Sequence, residues 1–195
     1  MVKKIGLGVV VLVAVLLLIV SLQPSTFRIS RTGEVQASPE VVFTILNDLR
    51  QGNLWSPFEQ VDPEMEKTYS GPETGVGAVC RWEGNDEAGA GTMTIEESHP
   101  NDLVRIKLEM ARPMATTSEV RFELSPTTSG TQVNWIMEGK NSFTGKAISM
   151  FVNIDQMIGK EFEEGLNNLN KVASQSKLKA PKSSSSATQK SPGSR

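Results

Sequence analysis

Cysteine and histidine occur once each in these 195 residues, as Cys80 and His99. A single thiol excludes an internal disulfide and any Cys-rich metal site. His99 stands beside Pro100 in a turn pattern with no organising partner nearby, so it reads as a surface residue rather than a general base. Basic charge is scarce where a fold would form. Lys3 and Lys4 precede the first apolar run, while Lys171, Lys177, Lys179, Lys182, Lys190 and Arg195 lie near the end. Setting those eight aside leaves 12 basic groups against 22 acids, a formal charge of −10 for the middle of the chain. Such a domain repels phosphate backbones, and no nucleic-acid partner is expected. The acids Asp155, Glu161, Glu163 and Glu164 lack metal-ligand spacing, and Gly75-x-Gly77 and Gly89-x-Gly91 lack the strand-to-helix setting of a phosphate loop. Neither a metal nor a cofactor is expected.

What the sequence does have begins with Ile5 to Leu22, a run without a charged residue and with no polar face. About 18 such residues suit a bilayer-spanning helix better than a soluble core helix. A cleaved signal peptide is the competing reading. The length of the run and the poor cleavage signal at Ser21-Leu22-Gln23-Pro24 favour an uncleaved anchor over residues 1–23. Lys3 and Lys4 place the N-terminus in the cytoplasm and the domain on the periplasmic or extracytoplasmic side, although Arg28 and Arg31 flank the other end of the run.

The domain, 24–175, opens with a strand from Phe27 to Val35 and a short helix started by Ser38-Pro39-Glu40: a capping hydroxyl, proline at the first helical position and an early acid. Val42, Phe43, Leu46 and Leu49 give that helix a buried side, and Leu54 to Phe58 forms an apolar elbow. Alternation then predicts strands over Lys67 to Ser70, Ala78 to Glu83, Thr92 to Glu96, Leu103 to Met110, Thr117 to Leu124 and Gln132 to Glu138. One dry and one wet face imply an antiparallel sheet. From Asn141 to Val172 the apolar residues, among them Phe143, Met150, Phe151, Ile154, Ile158, Phe162, Leu166 and Leu169, recur at steps of three and four. That spacing predicts one amphipathic helix about 45 Å long, capped by Ser142 or Asn141. Residues 176–195, rich in Ser, Lys and Pro, read as a disordered basic tail; electrostatic contact with an anionic surface is the functional alternative.

This order of elements, with Ala37-Ser38-Pro39-Glu40-Val41-Val42-Phe43, Trp55-Ser56-Pro57-Phe58, Tyr69-Ser70-Gly71-Pro72, Trp82-Glu83-Gly84-Asn85 and the terminal helix around Gly159 to Leu166, resembles the START, birch-pollen-allergen and polyketide-cyclase superfamily, SRPBCC. The resemblance implies an α+β helix-grip fold, in which a curved sheet of about seven strands wraps a long C-terminal helix around an apolar cavity. It carries no shared catalytic signature, and no catalytic residue is assigned.

The residues expected to line that cavity are Trp55, Phe58, Tyr69, Trp82, Met93, Ile106, Met110, Phe122, Trp135, Met137, Met150, Phe151, Ile154 and Ile158. Methionine repacks around variable guests. Gly159 and Gly165 within a helix each cost about 1 kcal/mol and ask for a packing or access reason. Cys80 shares its strand face with Trp82 and reads as a small buried filler. The expectation is a membrane-tethered module that binds a hydrophobic small molecule or lipid. A cyclase/dehydrase-like enzyme and a surface protein-interaction module with a solid core are the alternatives.

Overall fold

The computed structural model describes residues 2–179, with side chains for 6–8 and 10–175. The first element, α1, is a helix over Val2–Ser21. Its described large apolar side chains from Leu7 to Ile19 are exposed, and among the described residues of the helix only Val20, at its end, is buried. Among the described residues no helix is long and apolar enough to cross a membrane. The expected anchor, Ile5 to Leu22, includes Ile5 and Val9, whose side chains lie outside the described residues.

Strand β1, Thr26–Val35, leads into α2, Pro39–Leu46. Proline occupies the start of α2 as its fixed φ allows, but the Ser38 hydroxyl makes no capping bond. The Ser38 carbonyl instead receives the amides of Val41 and Val42. The apolar elbow winds through a 3-10 turn at Leu49–Gln51, the single-turn helix α3 at Gly52–Trp55, and a second 3-10 turn at Pro57–Glu59. Asp48 caps the first of these by accepting the Arg50 amide at 3.0 Å.

Six further strands follow: β2 Glu66–Ser70, β3 Val79–Glu83, β4 Ala90–His99, β5 Leu103–Arg112, β6 Thr116–Pro126 and β7 Thr131–Lys140. They form one antiparallel seven-stranded sheet in the order β1-β7-β6-β5-β4-β3-β2. The alternation works as expected: Val104 and Ile106, Val120, Phe122 and Leu124, and Val133 and Trp135 turn to the core. On the opposite face a charge ladder crosses the strands, Arg28–Glu138–Arg121–Glu119–Arg105–Glu97.

The single long helix expected over Asn141 to Val172 is two helices, α4 Phe143–Ser149 and α5 Ile154–Lys179. Ser142 caps α4, its hydroxyl accepting the Gly145 amide at 3.1 Å. The chain then breaks, and the Asn153 side chain accepts the Gln156 amide at 3.0 Å to start α5 afresh. That restart moves Phe143, Met150 and Phe151 off the buried stripe, and all three are exposed. Helix α5 lies across β1, burying Phe162, Leu166, Leu169 and Ala173. It continues to Lys179, past the compositional boundary at 175; residues 180–195 of the expected tail lie outside the described residues.

The two helical glycines meet side chains. A Cβ on Gly159 would stand 1.9 Å from Arg31 Nη2, and one on Gly165 would stand 2.6 Å from Trp135 Cζ3. Arg31 lies over the helix backbone there, bonded to Asp155 and Glu163. The indole of Trp135 presses into the gap at Gly165. Both glycines are therefore explained by close packing, and neither marks a passage.

Candidate functional site

Between sheet and helix lies a hollow of 380 Å³. One end is closed by Ile45, Leu46, Leu49, Trp55, Phe122, Trp135 and Phe162, all buried. Trp135 stacks on Phe162 at 4.0 Å between ring centroids and 6° between planes. Trp55 meets Trp135 at 5.3 Å and Phe122 at 5.8 Å, both edge-to-face. The indole N–H groups of Trp55 and Trp135 are buried without a hydrogen-bond partner.

The other end is looser. Met65, Met110, Met137 and Ile158 are half-buried there; Phe58, which joins the aromatic end at 6.2 Å from the Trp135 and Phe162 rings, is itself 42% exposed. Cys80, Trp82, Met93, Leu108 and Val120 form the wall between. Trp82 lies over Gly91, where a Cβ would be 2.4 Å from its ring, and its N–H donates to the Ala88 carbonyl at 3.2 Å.

Polar groups in the lining are few, and the two acids of the elbow already have partners. Glu59 pairs with Lys67, both side chains largely buried. Burial lowers the Lys67 ammonium below the usual lysine range, while Cys80 opposes that shift. Asp48 is held by the Arg50 amide and by Gln51 Nε2. Cys80 faces Tyr69 across β2 and β3. Burial raises the Cys80 thiol, with the Tyr69 hydrogen bond and Lys67 pulling the other way; a raised thiol is a poor nucleophile. Tyr69 is pushed up to about 12, first by burial and then by Cys80. The Arg50 guanidinium sits over its ring at 5.0 Å.

Ten of the expected residues meet at this hollow: Trp55, Phe58, Trp82, Met93, Ile106, Met110, Phe122, Trp135, Met137 and Ile158. Four do not. Tyr69 turns to Cys80, Ile154 packs against the core outside the lining, and Met150 and Phe151 face out at the break before α5, Phe151 at 87% exposure. Sequence reasoning passed over Leu108 and Val120, although each shares a strand face with residues it named. Glu59 ends the elbow and Met65 lies in the loop before β2, where no periodicity points to them. His99 is exposed and contacts Glu97 at 2.8 Å, away from the lining. Among the described residues no group of three or more His, Cys, Asp or Glu could hold a metal.

A larger depression of 920 Å³ involves Arg28, Lys107, Glu119 and Glu138 of the sheet. It is open, and its charges are engaged with one another, as in the Arg28–Glu138 pair. Enclosure and apolar walls make the smaller hollow the candidate site.

The family model described as polyketide cyclase / dehydrase and lipid transport matches residues 26–174. No curated protein matches the chain. Solved structures do. A protein of unknown function from Staphylococcus aureus has a TM-score of 0.57 at 14% identity, over 78% of this chain and 96% of that one. A Rhodobacter sphaeroides protein gives 0.56 at 16%, over 79% and 95%. A Chromobacterium violaceum protein gives 0.53 at 17%, over 77% and 98%. At these identities the likeness is one of fold.

Proposed function

The chain belongs to the polyketide cyclase/dehydrase and lipid transport family, of SRPBCC type, and from that membership and the shape of its interior we propose that it binds a hydrophobic small molecule or single-chain lipid at a membrane surface. The observation that carries the reading is the 380 Å³ hollow, apolar along its walls, shut by aromatics at one end and rimmed by methionines at the other. This volume is at the lower end for ligand cavities, which favours a slender guest over a two-chain phospholipid. Removing about 400 Å² of apolar guest surface from water contributes roughly 10 kcal/mol. Association costs of at least about 4 kcal/mol leave an affinity no tighter than tens of micromolar.

Helix α1 supplies the tether. Its support is the uncharged run Ile5 to Leu22 and a helix whose described large apolar side chains from Leu7 to Ile19 have no protein cover. Lys3 and Lys4 orient it with the N-terminus in the cytoplasm and the domain outside.

Native mass spectrometry of the chain in lipid nanodiscs, with a fluorescent fatty acid titrated in parallel, tests the binding. A stoichiometric guest, or saturable uptake weakened by Met110→Trp, is expected. A hollow that stays empty with both readouts overturns the reading. Resistance of the full chain to alkaline extraction from membranes tests the tether separately.

A further inference from the structure

The chain between α4 and α5 is apolar and faces outward. Phe143, Ile148, Met150, Phe151, Val152 and Met157 are all exposed, and no charged residue interrupts Ala147 to Ile154. A folded domain has little reason to leave such a corner bare. Its place in the fold says what covers it. Helix α1 ends beside α4: the two pack together, Lys146 Nζ donates to the Ser21 carbonyl at 3.3 Å, and Asn141 binds the Pro24 and Ser25 carbonyls. The bare corner therefore continues the bare surface of α1, at the point where α1 leaves the domain.

The looser end of the hollow lies on the same side. Thr26, Lys140, Thr116 and Arg112 close the strands at this end of the sheet, and Met110 and Met137 stand two and three residues inward along β5 and β7. The Ser142 hydroxyl lies 3.9 Å from Met114 Sδ, which sets the β5–β6 turn against α4. Ile158, in the lining, is the neighbour of exposed Met157.

We propose that the α4–α5 corner is a second membrane contact, which inserts Phe151 and its neighbours into the interfacial layer of the bilayer and seats the methionine-rimmed mouth on the lipid. The inference rests on the tethered-binding reading for its bilayer and adds to it a route: a guest passes from lipid to hollow without crossing water. An apolar corner flanked by Lys146 and Asp155, beside a helix with the composition of an anchor, has the character of an interfacial segment rather than a spanning one.

The test places one new tryptophan at a time in the full chain, reconstituted in phosphatidylcholine and phosphatidylglycerol vesicles whose acyl chains are brominated near the headgroup. Emission is read as the difference from the parent chain. Phe151→Trp is expected to lose about half its added emission to the bromines. Val76→Trp, exposed in the turn before β3 at the far end of the domain, is expected to lose none. Leu12→Trp, in α1, reports the tether, with bromines placed deeper. Quenching at Leu12→Trp without quenching at Phe151→Trp overturns the corner contact and leaves the tether standing; quenching at neither overturns both. A Phe151→Trp shielded from aqueous iodide but untouched by bromine, in a dimer that Phe151→Glu dissociates, assigns the corner to a second copy and overturns the proposal. Phe151→Glu combined with Val152→Glu is expected to slow fatty-acid uptake from vesicles about ten-fold while leaving uptake from solution unchanged, which a purely structural role for the corner would not do.

Discussion

Trp135 and Met137 are consecutive inward residues on β7, about 7 Å apart along one strand, and they belong to different materials. Around Trp135 the rings of Trp55 and Phe58 meet it edge to face, Phe122 lies tilted against it and Phe162 stacks on it. Beside Met137 the paired residues are Ile29 and Val120, with no ring among them, and the lining continues through Met65, Met110 and a half-buried Ile158 around open space. One sheet and one helix thus build a solid half and a hollow half. Interlocked rings fix a single arrangement, whereas unbranched methionines keep several within reach. Stability is concentrated at one end so that the other end is free to stay open.

The comparison breaks most sharply at those two residues. Trp135→Ala is expected to cost about 3–5 kcal/mol in urea unfolding, because a stacked, fully buried ring leaves a void that cannot collapse. Met137→Ala, which enlarges a space already present, is expected to cost about 1 kcal/mol. Equal costs would mean that the methionine end is packed core. The helical glycines repeat the contrast. Gly165→Ala drives a Cβ into the Trp135 ring, which its contacts with Trp55, Phe122 and Phe162 hold in place, and is expected to destabilise by about 1–3 kcal/mol despite the better helix propensity of alanine. Gly159→Ala displaces only the end of Arg31, whose partners Asp155 and Glu163 are exposed. A lost surface pair is worth under about 1 kcal/mol, so the gain in propensity is expected to leave this variant near neutral. Methionine at the mouth is expected to matter for binding instead: Met110→Trp weakens fatty-acid uptake about ten-fold, or 1.4 kcal/mol, with little change in unfolding.

Most of this architecture was legible because alternation along a strand has an unambiguous period. Val104 and Ile106, or Phe122 and Trp135, could be placed on one face from spacing alone. The break in the long helix was harder. Apolar steps of three and four run straight through Met150 and Phe151, and only Asn153 followed by Asp155 and Gln156, a cap with an early acid, signals that the helix starts again. Reading the stripe across that cap put Met150 and Phe151 inside, where they are not. The elbow was illegible for another reason: Glu59 and Met65 reach the lining from irregular backbone, where side-chain direction follows no period. Gly159 and Gly165 ask, from the sequence, for a packing or an access reason, and the side chains that press on the helix backbone supply the first of these.

The smallest effect tests the wall where the two halves join. Tyr69 is the single tyrosine of the chain, so its ionisation is the one phenol step in absorbance at 295 nm. It faces Cys80, which lines the hollow, and its folded value lies near 12 against 10 for the free side chain. A raised value means that the folded state keeps its proton longer than the unfolded chain does. The stability this contributes is fully present below pH 10 and is lost as pH rises from 10 through about 12. Burial is the first cause and Cys80 the next, while Arg50 opposes both. Cys80→Ala is therefore expected to bring the step down toward 10, and Arg50→Ala to raise it slightly. A guest that drives water from the Cys80 wall strengthens the burial and moves the step up again. If saturating fatty acid leaves the Tyr69 step where it was, the guest does not reach this wall, and the occupied space is confined to the methionine end.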